Sequence, residues 1–495
     1  MKLEEYLGYD GLGLAELVKK KEVTAEELLA VAIERAEKVN PRINAIINPL
    51  YDLGRKMAAD TSQGDFQGVP FLLKDLGAPL AGYPMSHGSR MLRYYVPSQD
   101  GTLVKRFKNT GLVIFGKTNT PEFGLMGTTE PKYFGPTRNP WNTDYSTGGS
   151  SGGSAAAIAA GITPIASAGD GGGSIRIPAA SCGLFGLKPS RGRVSLGPDR
   201  SEDWDGAVVE HILSRSVRDS AVMLDRVCGP ASGDPYFLPN PEIPYGDVIK
   251  QDPKPLRVAY CTRSPLQNPV HPECVEAVED FARKLASLGH IVEEASPAID
   301  GMDVAKAYLT IYVGQVGAQI KRFKRIYGKR AVREGLEEAT RIFGVLGNAL
   351  PATDYVEQKY QWNLFGRIMG DFHETYDLYL TPALAEPPAK IGTLPPTSLE
   401  EFGLRWVEKL RAGRLLLKTG IVEKLSLESL EKAPFTQLGN LTGQPGMSLP
   451  LYWSSQGLPI GVQVMSAIGR EDLLFGLAGQ VERAFPWFDN LPVLN

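Results

Sequence analysis

The sequence predicts an α/β fold in which helices cover both faces of a mixed β-sheet. Short apolar runs have the length of buried strands, and amphipathic segments with helical spacing lie between them. Residues 257–295 combine both signals into a strand, a helix and a second strand, which is the pattern of a βαβ unit. Of the 495 residues, 43% are hydrophobic and 22% are charged, so the chain can bury a large core. These features together favour layers of helices packed on a sheet.

The first predicted element is a helix over about 24–38. Thr24 and Glu27 have the spacing of a capping box, in which each side chain bonds the backbone N–H of the other residue. Apolar residues then recur at helical spacing. The helix is expected to end near Asn40-Pro41, because the residue before a proline is biased away from helical dihedral angles.

Three more elements surround a glycine-rich central region. Val69–Leu73 and Leu112–Phe115 are apolar runs short enough to be buried strands. Ser154–Ala160 has almost only small side chains, so it predicts a helix that packs closely against its neighbours. The functional residues discussed below lie at the ends of these elements.

The C-terminal half begins with a break in the regular pattern. Seven prolines between Gly229 and Leu256 indicate a surface excursion or a linker. The elements predicted after it are a strand at Arg257–Tyr260, a helix at Pro272–Leu288, a strand at Ile291–Ala295, and mainly helical segments at 303–345 and 399–433.

Charge and composition limit the classes of partner. The net charge of −3 argues against a polyanionic partner such as a nucleic acid or a phospholipid surface. The N-terminus MKLEEYLGYDG lacks the apolar core of a signal peptide, and no run of about 20 apolar residues predicts a membrane span. The four cysteines show no C-x-x-C spacing, so we interpret them as reduced thiols and expect a cytoplasmic protein. No cluster of His, Cys, Asp or Glu has the spacing of metal ligands, and neither a metal nor a cofactor is predicted.

Two serine-bearing glycine loops between Ser146 and Arg193 indicate acyl-transfer chemistry. The first is GGSSGG at 148–153, and the second is DGGGSIR at 170–176. Glycine is expected where the backbone comes very close to a ligand or takes unusual dihedral angles. A serine framed by bare backbone N–H groups combines a nucleophile with a place for a developing oxyanion.

A serine nucleophile needs a neighbouring base, and Lys74 is the candidate. None of the five histidines stands in a sequence typical of a catalytic site. Lys74 follows the apolar run Phe71–Leu73, and burial without a carboxylate partner lowers the pKa of a lysine. The alternative is a surface lysine paired with Asp75, and the residues alone leave both interpretations open.

The two loops and the Lys74-Asp75 pair resemble the amidase signature family. Further blocks occur in the family's order: GKTNTPEFG at 116–124, TRNPWN at 137–142, and two C-terminal blocks at 376–388 and 435–464. The resemblance implies an α/β/α sandwich that forms a single amidase domain over 1–495. Its expected parts are a signature core at about 65–225, a Pro-rich excursion at about 229–256 and a variable helical region at about 300–370.

The resemblance also implies a role for each member of a Ser-Ser-Lys triad. Lys74 would act as the base, Ser150 as a proton bridge held by a cis peptide bond, and Ser174 as the nucleophile that forms an acyl-enzyme. The oxyanion hole would consist of the backbone N–H groups of Gly171, Gly172, Gly173 and Ser174. The residues expected to support the two loops are Ser151, Asp170 and Arg176.

One position departs from the family's pattern. Many members have a Thr before the aspartate of the second loop, whereas this chain has Gly169. A hydroxyl that could stabilise the loop or the relay is therefore missing. We expect this to alter the tuning of the site and to leave the triad unchanged.

The expected substrate is a small to medium uncharged amide, whether cyclic, aryl or alkyl. Residues 128–142 and 176–198 are similar to a bacterial subgroup of the family, the 6-aminohexanoate cyclic-dimer hydrolases, which act on a cyclic amide from nylon synthesis. Carbamates and esters share the tetrahedral chemistry and are expected side substrates. Water is the second reactant, and the sequence leaves a homodimer open. The candidate pocket residues are Met126 and Gly127, with Tyr308, Tyr312 and Val316 either on the opposite wall or in the core.

Four other interpretations compete with this one. Gly111–Thr118 matches the Walker A pattern, but Leu-Val-Ile-Phe between its glycines predicts a strand instead of a phosphate-binding loop. Gly148–Gly152 matches G-x-S-x-G, but the polar residues before it are unlike the hydrophobic strand of an α/β-hydrolase elbow. The amidase subunit of a tRNA-dependent amidotransferase shares the triad and would act as a glutaminase within a complex. An inactive binding protein is disfavoured, because all three triad positions are filled.

Overall fold

A computed structural model describes residues 1–393 and 430–494. Its strands, in chain order, are β1 (Ile46–Pro49), β2 (Pro70–Lys74), β3 (Val113–Thr118), β4 (Arg138–Asn139), β5 (Asn142–Ser146), β6 (Ile165–Asp170), β7 (Phe185–Lys188), β8 (Val209–Ser214), β9 (Arg257–Tyr260), β10 (Ile291–Glu294), β11 (Leu378–Pro382), β12 (Gly446–Trp453) and β13 (Pro459–Ser466). Eleven of them form one sheet in the order β1-β3-β2-β6-β8-β7-β12-β13-β11-β9-β10, and β4 pairs with β5 in a separate sheet.

The large sheet is mixed, and its centre is buried on both faces. Strands β3, β2 and β6 are parallel neighbours, as are β11, β9 and β10, and the strands between these groups pair antiparallel. Every residue of β2, β6, β7, β8, β11 and β13 is buried. A strand whose two faces are both buried must be covered from both sides. The predicted α/β class is therefore confirmed.

Helices connect and cover the strands. Within the described ranges they are α1 (Leu3–Leu7), α2 (Gly11–Lys19), α3 (Ala25–Ile43), α4 (Tyr51–Ala59), α5 (Thr102–Asn109), α6 (Gly152–Ala159), α7 (Arg176–Cys182), α8 (Val217–Val227), α9 (Tyr245–Val248), α10 (Pro272–Ser287), α11 (Gly301–Gly335), α12 (Glu338–Ala349), α13 (Ala352–Thr375), α14 (Gln437–Thr442) and α15 (Glu471–Ala484). Helices α3, α4, α6, α7, α8, α10 and α15 pack on the large sheet, whereas α12 and α13 pack on α11.

Helix α3 begins as predicted but continues past the predicted end. The capping box is present, with the Thr24 side chain accepting from the Glu27 N–H and the Glu27 side chain accepting from the Thr24 N–H. The helix includes Pro41 and ends at Ile43. Its last turn is closed by Asn44 in the left-handed conformation, whose N–H donates to the Asn40 carbonyl. The proline therefore lies in the last turn and does not set the end of the helix.

The strands and helices predicted for the C-terminal half are confirmed where the structure describes it. Strands β9 and β10 are parallel and flank α10, which makes the βαβ unit. The Pro-rich stretch is irregular apart from the short helix α9, and helices α11 and α12 account for the predicted helical segment at 303–345. The predicted helical segment at 399–433 lies almost entirely outside the described residues.

The described residues lack two features, a membrane-spanning helix and a cluster of metal ligands. None of the helices in these ranges is long and apolar enough to cross a bilayer. The same residues contain no group of three or more His, Cys, Asp or Glu side chains placed to hold a metal ion.

Thr24→Ala is expected to lower the free energy of unfolding by about 1 kcal/mol, because α3 loses the side-chain acceptor at its first turn. Urea unfolding followed by circular dichroism measures the change. Thr61→Ala is the matched control, since Thr61 lies in a loop and its side chain makes no hydrogen bond with any described residue. Equal stabilities of the two variants would contradict the capping role.

Candidate active site

The two serine loops meet at the carboxyl ends of neighbouring parallel strands. Lys74 is the last residue of β2, and Asp170 is the last residue of β6. Because parallel strands end at the same edge of a sheet, the chain that leaves β6 passes close to Lys74. Ser174 follows Asp170 in the loop before α7, and Ser150 lies in the loop before α6.

The loop that carries Ser150 is packed too closely for larger residues. The peptide bond between Gly149 and Ser150 is cis. A Cβ atom at Gly149 would lie 2.7 Å from the Thr128 carbonyl oxygen and 2.8 Å from the Met126 carbonyl oxygen. The strand before this loop, β5, pairs with β4 in the separate two-stranded sheet and is not part of the large sheet. The loop is therefore not a nucleophile elbow of the α/β-hydrolase type.

The Lys74 amine is buried and bonded to Ser150. Its Nζ atom lies 2.8 Å from the Ser150 Oγ atom and 3.4 Å from the Gly169 carbonyl oxygen, and the residue is 2% exposed. Burial lowers the pKa of Lys74 to about 8, and the carboxylates of Glu210 and Asp170 oppose this shift. The Lys74 amine therefore loses its proton more readily than that of an exposed lysine, as a base requires.

Asp75 does not form an ion pair with Lys74. Its carboxylate accepts hydrogen bonds from the N–H and the hydroxyl of Ser86. Burial raises the pKa of Asp75, and the main opposing charge is Lys117. The alternative of a surface lysine paired with Asp75 is therefore wrong.

The nucleotide-binding alternative is also wrong. Residues 113–118 form the buried strand β3, so the Walker A pattern does not fold as a phosphate loop. Lys117 within it is fully buried, and its amine donates to the Ala78 carbonyl oxygen at 3.3 Å.

Ser174 lies at the same site and lines a cavity, but its hydroxyl is not bonded to that of Ser150. The two serine loops are joined by the Ser151 N–H, which donates to the Ser174 carbonyl oxygen at 3.3 Å. No hydrogen bond between described residues links the two hydroxyl groups. The structure thus brings Lys74 and Ser150 into direct contact and leaves the bridge from Ser150 to Ser174 as a prediction.

The predicted oxyanion donors fall into two groups. The Gly173 N–H already donates to the Asp170 carboxylate at 2.7 Å. The N–H groups of Gly171, Gly172 and Ser174 make no hydrogen bond within the described residues. Gly172 also leaves no room for a side chain, because a Cβ atom there would overlap the Tyr308 hydroxyl. In this conformation, three of the four predicted donors are free to bind an oxygen.

Asp170 and Arg176 form a fully buried ion pair that holds the second loop. The two side chains meet through two hydrogen bonds of 3.0 and 2.9 Å, and neither has any exposed surface. The Asp170 carboxylate also accepts from the N–H groups of Gly173 and Ile175. Burial alone would raise the pKa of Asp170, but Arg176 holds it well below its usual value.

Arg176 also ties this loop to the C-terminal part of the chain. Its guanidinium donates to the Thr436 carbonyl oxygen, the Gln463 side chain and the Asn440 side chain at 2.9, 2.6 and 2.7 Å. The Thr436 hydroxyl donates to the Gly172 carbonyl oxygen at 2.6 Å. These partners lie in the C-terminal block that resembles the family, but the sequence does not predict their contacts with Arg176. Local sequence patterns carry no information about contacts between residues about 260 positions apart.

Ser151 contacts the backbone beside the site and not the two triad hydroxyls. Its hydroxyl donates to the Gly169 carbonyl oxygen at 3.2 Å and accepts from the Gly169 N–H at 3.3 Å. The same Gly169 carbonyl oxygen lies near the Lys74 amine. Ser151 therefore holds the strand end against which the lysine rests.

A cavity of about 190 Å³ opens at Ser174. Met126 and Gly127 line it, as predicted, and so do Tyr308 and Tyr312. Val316 instead belongs to the hydrophobic core around α11. The cavity wall is mainly apolar, with one ion pair of 3.0 Å between Glu386 and Lys432 among its lining residues. A larger cavity of about 620 Å³ near Cys261 includes none of the triad residues.

The chain belongs to the amidase family, whose model matches residues 27–475. Among curated proteins, it is 38% identical to the 6-aminohexanoate-cyclic-dimer hydrolase of Pseudomonas sp. (strain NK87), over 99% of this chain and 97% of the relative. Among solved structures, it matches a 6-aminohexanoate cyclic dimer hydrolase complexed with substrate, with a TM-score of 0.89, 36% identity and coverage of 98% and 99%. It also matches a bacterial aryl acylamidase of the amidase signature family, with a TM-score of 0.85, 26% identity and coverage of 98% of both chains.

Arg176→Met is expected to lower the free energy of unfolding by about 3–5 kcal/mol, because it leaves the buried Asp170 carboxylate without its counterion. Urea unfolding measures the loss. The matched control is Arg330→Met, which removes an exposed arginine paired with Glu334 and should cost about 1 kcal/mol or less. A cost for Arg176→Met no larger than that of the control would contradict the bracing role.

Proposed function

We propose that this protein is an amidase that hydrolyses a C–N amide bond through an acyl-enzyme on Ser174. The observation that carries the proposal is the 2.8 Å contact between the buried Lys74 amine and the Ser150 hydroxyl, beside the cavity that Ser174 lines. Membership of the amidase family supports the same reaction class.

In the proposed reaction, the uncharged Lys74 amine takes the proton of Ser150, and Ser150 takes the proton of Ser174. The Ser174 oxygen then attacks the carbonyl carbon and forms a tetrahedral intermediate. The relay runs in reverse to protonate the leaving nitrogen, the C–N bond breaks, and the acyl group stays on Ser174. A water molecule activated by the same relay then hydrolyses the acyl-enzyme and releases the acid.

The charge that develops on the carbonyl oxygen needs donors that are already in position. We propose that the N–H groups of Gly171, Gly172 and Ser174 supply them. Gly173 joins this set only if its N–H leaves the Asp170 carboxylate, to which it donates at 2.7 Å. Asp170, Arg176 and Ser151 act as supports in this scheme, because their bonds are directed to the backbone of the loops and to each other.

The proposed substrate is a small to medium uncharged amide, whether cyclic, aryl or alkyl. Support comes from the size of the cavity and from its apolar lining, which includes Met126, Tyr308, Tyr312 and Phe343. The relatives are named as hydrolases of a cyclic dimer and of aryl acylamides, and we propose that this chain acts on the same class. Carbamates and esters are proposed side substrates, and a cytoplasmic homodimer stays an expectation. A glutaminase subunit is the less favoured alternative, because the named relatives are hydrolases of a cyclic dimer and of aryl acylamides.

Ser174→Ala is expected to abolish amide turnover and to leave the fold intact, since it removes only the attacking oxygen. Lys74→Met is expected to do the same, because it keeps the volume of the lysine stem and removes the base. Steady-state hydrolysis measures activity, and circular dichroism checks folding. Thr61→Ala serves as the control with unchanged activity. Substantial turnover by folded Ser174→Ala would exclude Ser174 as the nucleophile.

A substrate panel distinguishes the free amidase from the subunit of a complex. The purified chain alone is expected to hydrolyse 6-aminohexanoate cyclic dimer or an aryl acylamide faster than glutamine, because its cavity has an apolar wall. Product formation is measured by chromatography, with Ser174→Ala as the blank. Glutamine hydrolysis as the main activity would favour the subunit instead.

A further inference from the structure

The carboxylate of Glu210 fills a space left by two glycines next to Lys74. Glu210 on β8 pairs in register with Gly169 on β6, and β6 is the neighbour of the strand that carries Lys74. A Cβ atom at Gly169 would lie 2.5 and 2.6 Å from the two carboxylate oxygens. A side chain at Gly77 would overlap the same carboxylate. Neither position can accept a side chain while Glu210 keeps this place.

Glu210 is a buried residue whose carboxylate lacks a hydrogen-bond partner among the described residues. The residue is 5% exposed, and its carboxylate accepts no hydrogen bond from any described residue. An ionised carboxylate is costly to bury unless a positive charge compensates it. Burial raises the pKa of Glu210, and the charge that most opposes this shift is Lys74, followed by Arg200. The acidic groups Asp203 and Asp170 act in the same direction as burial.

The other carboxylates around Lys74 already have partners. Asp170 is paired with Arg176, and Asp75 faces Ser86 and Lys117. Among the charged groups that act on Lys74, Glu210 is the main one that raises its pKa against burial, and Asp170 is the second. Glu210 is thus the carboxylate left to compensate the charge of the Lys74 ammonium.

We propose that Glu210 is a positioning residue of this site, whose ionised carboxylate faces the Lys74 ammonium and determines how readily that ammonium releases its proton. The inference rests on the proposed function, in which the uncharged amine starts the relay. Glu210 acts through Lys74 and does not touch the substrate. The proposal also accounts for Gly169, because the space that a threonine would occupy there holds this carboxylate.

The test is the pH dependence of kcat/KM in Glu210→Gln, which keeps the shape of the side chain and removes its charge. A nearby carboxylate favours the ammonium, so its loss favours the free amine. The acidic limb of the profile is therefore expected to move to lower pH by about one unit or more. On that limb, the variant should keep about tenfold more of its plateau activity than the wild type. Glu210→Ala removes the same charge and should move the limb in the same direction.

Two controls separate this effect from a general loss of packing. Glu210→Asp keeps the charge and should leave the limb near its wild-type position. Glu482→Gln removes a partly buried carboxylate that accepts from the Val217 N–H at 2.9 Å, and it should not move the limb. If Glu210→Gln and Glu210→Ala fold and their acidic limbs coincide with that of the wild type, the proposal is overturned. Failure of the proposed function would appear separately, as turnover by Ser174→Ala.

Discussion

The organisation of the site depends on one buried ion pair. The Asp170 carboxylate holds the N–H groups of Gly173 and Ile175, and the Arg176 guanidinium reaches three residues of the C-terminal segment. These bonds fix the turn that carries Ser174 between β6 and α7. A buried pair of this kind contributes little net stability compared with an apolar substitute, but removing one partner leaves an uncompensated charge. The pair therefore specifies the shape of the loop more than it stabilises the fold.

Much of this arrangement could be predicted from local sequence signals. The capping box of α3, the apolar strand before Lys74 and the βαβ unit at 257–295 each depend on residues close together in the chain, and the structure confirms all three. The proline at position 41 predicts an end of α3 that is too early. Asn44 closes the last turn in a left-handed conformation, which the bias of residues before proline does not take into account. The two serine loops stood out because glycine marks places where backbone comes close to other groups.

The features of the site that the sequence does not predict depend on contacts between residues that are distant in the chain. Glu210 lies in an unremarkable strand sequence, and only the register of β8 against β6 brings it over Gly169. The interpretation of the missing threonine as a simple loss was incomplete, because that space is occupied by a carboxylate.

The net charge of the chain is also a coarse signal. The total of −3 does not reveal a local excess of positive charge on the exposed second half of α11. Seven of the thirteen residues from 321 to 333 are basic. The absence of a polyanionic partner therefore stays a prediction.

The contacts of Arg176 with residues distant in the chain have a consequence for synthesis of the protein on the ribosome. Three of its partners, at positions 436, 440 and 463, are translated 260 to 287 residues after it. At typical elongation rates, this separation corresponds to roughly 15–60 s. A nascent chain can form β6 and the turn after it during that interval, but the guanidinium lacks these acceptors. The nucleophile loop is therefore completed only when the last segment emerges, so a partly made chain cannot carry a finished active site.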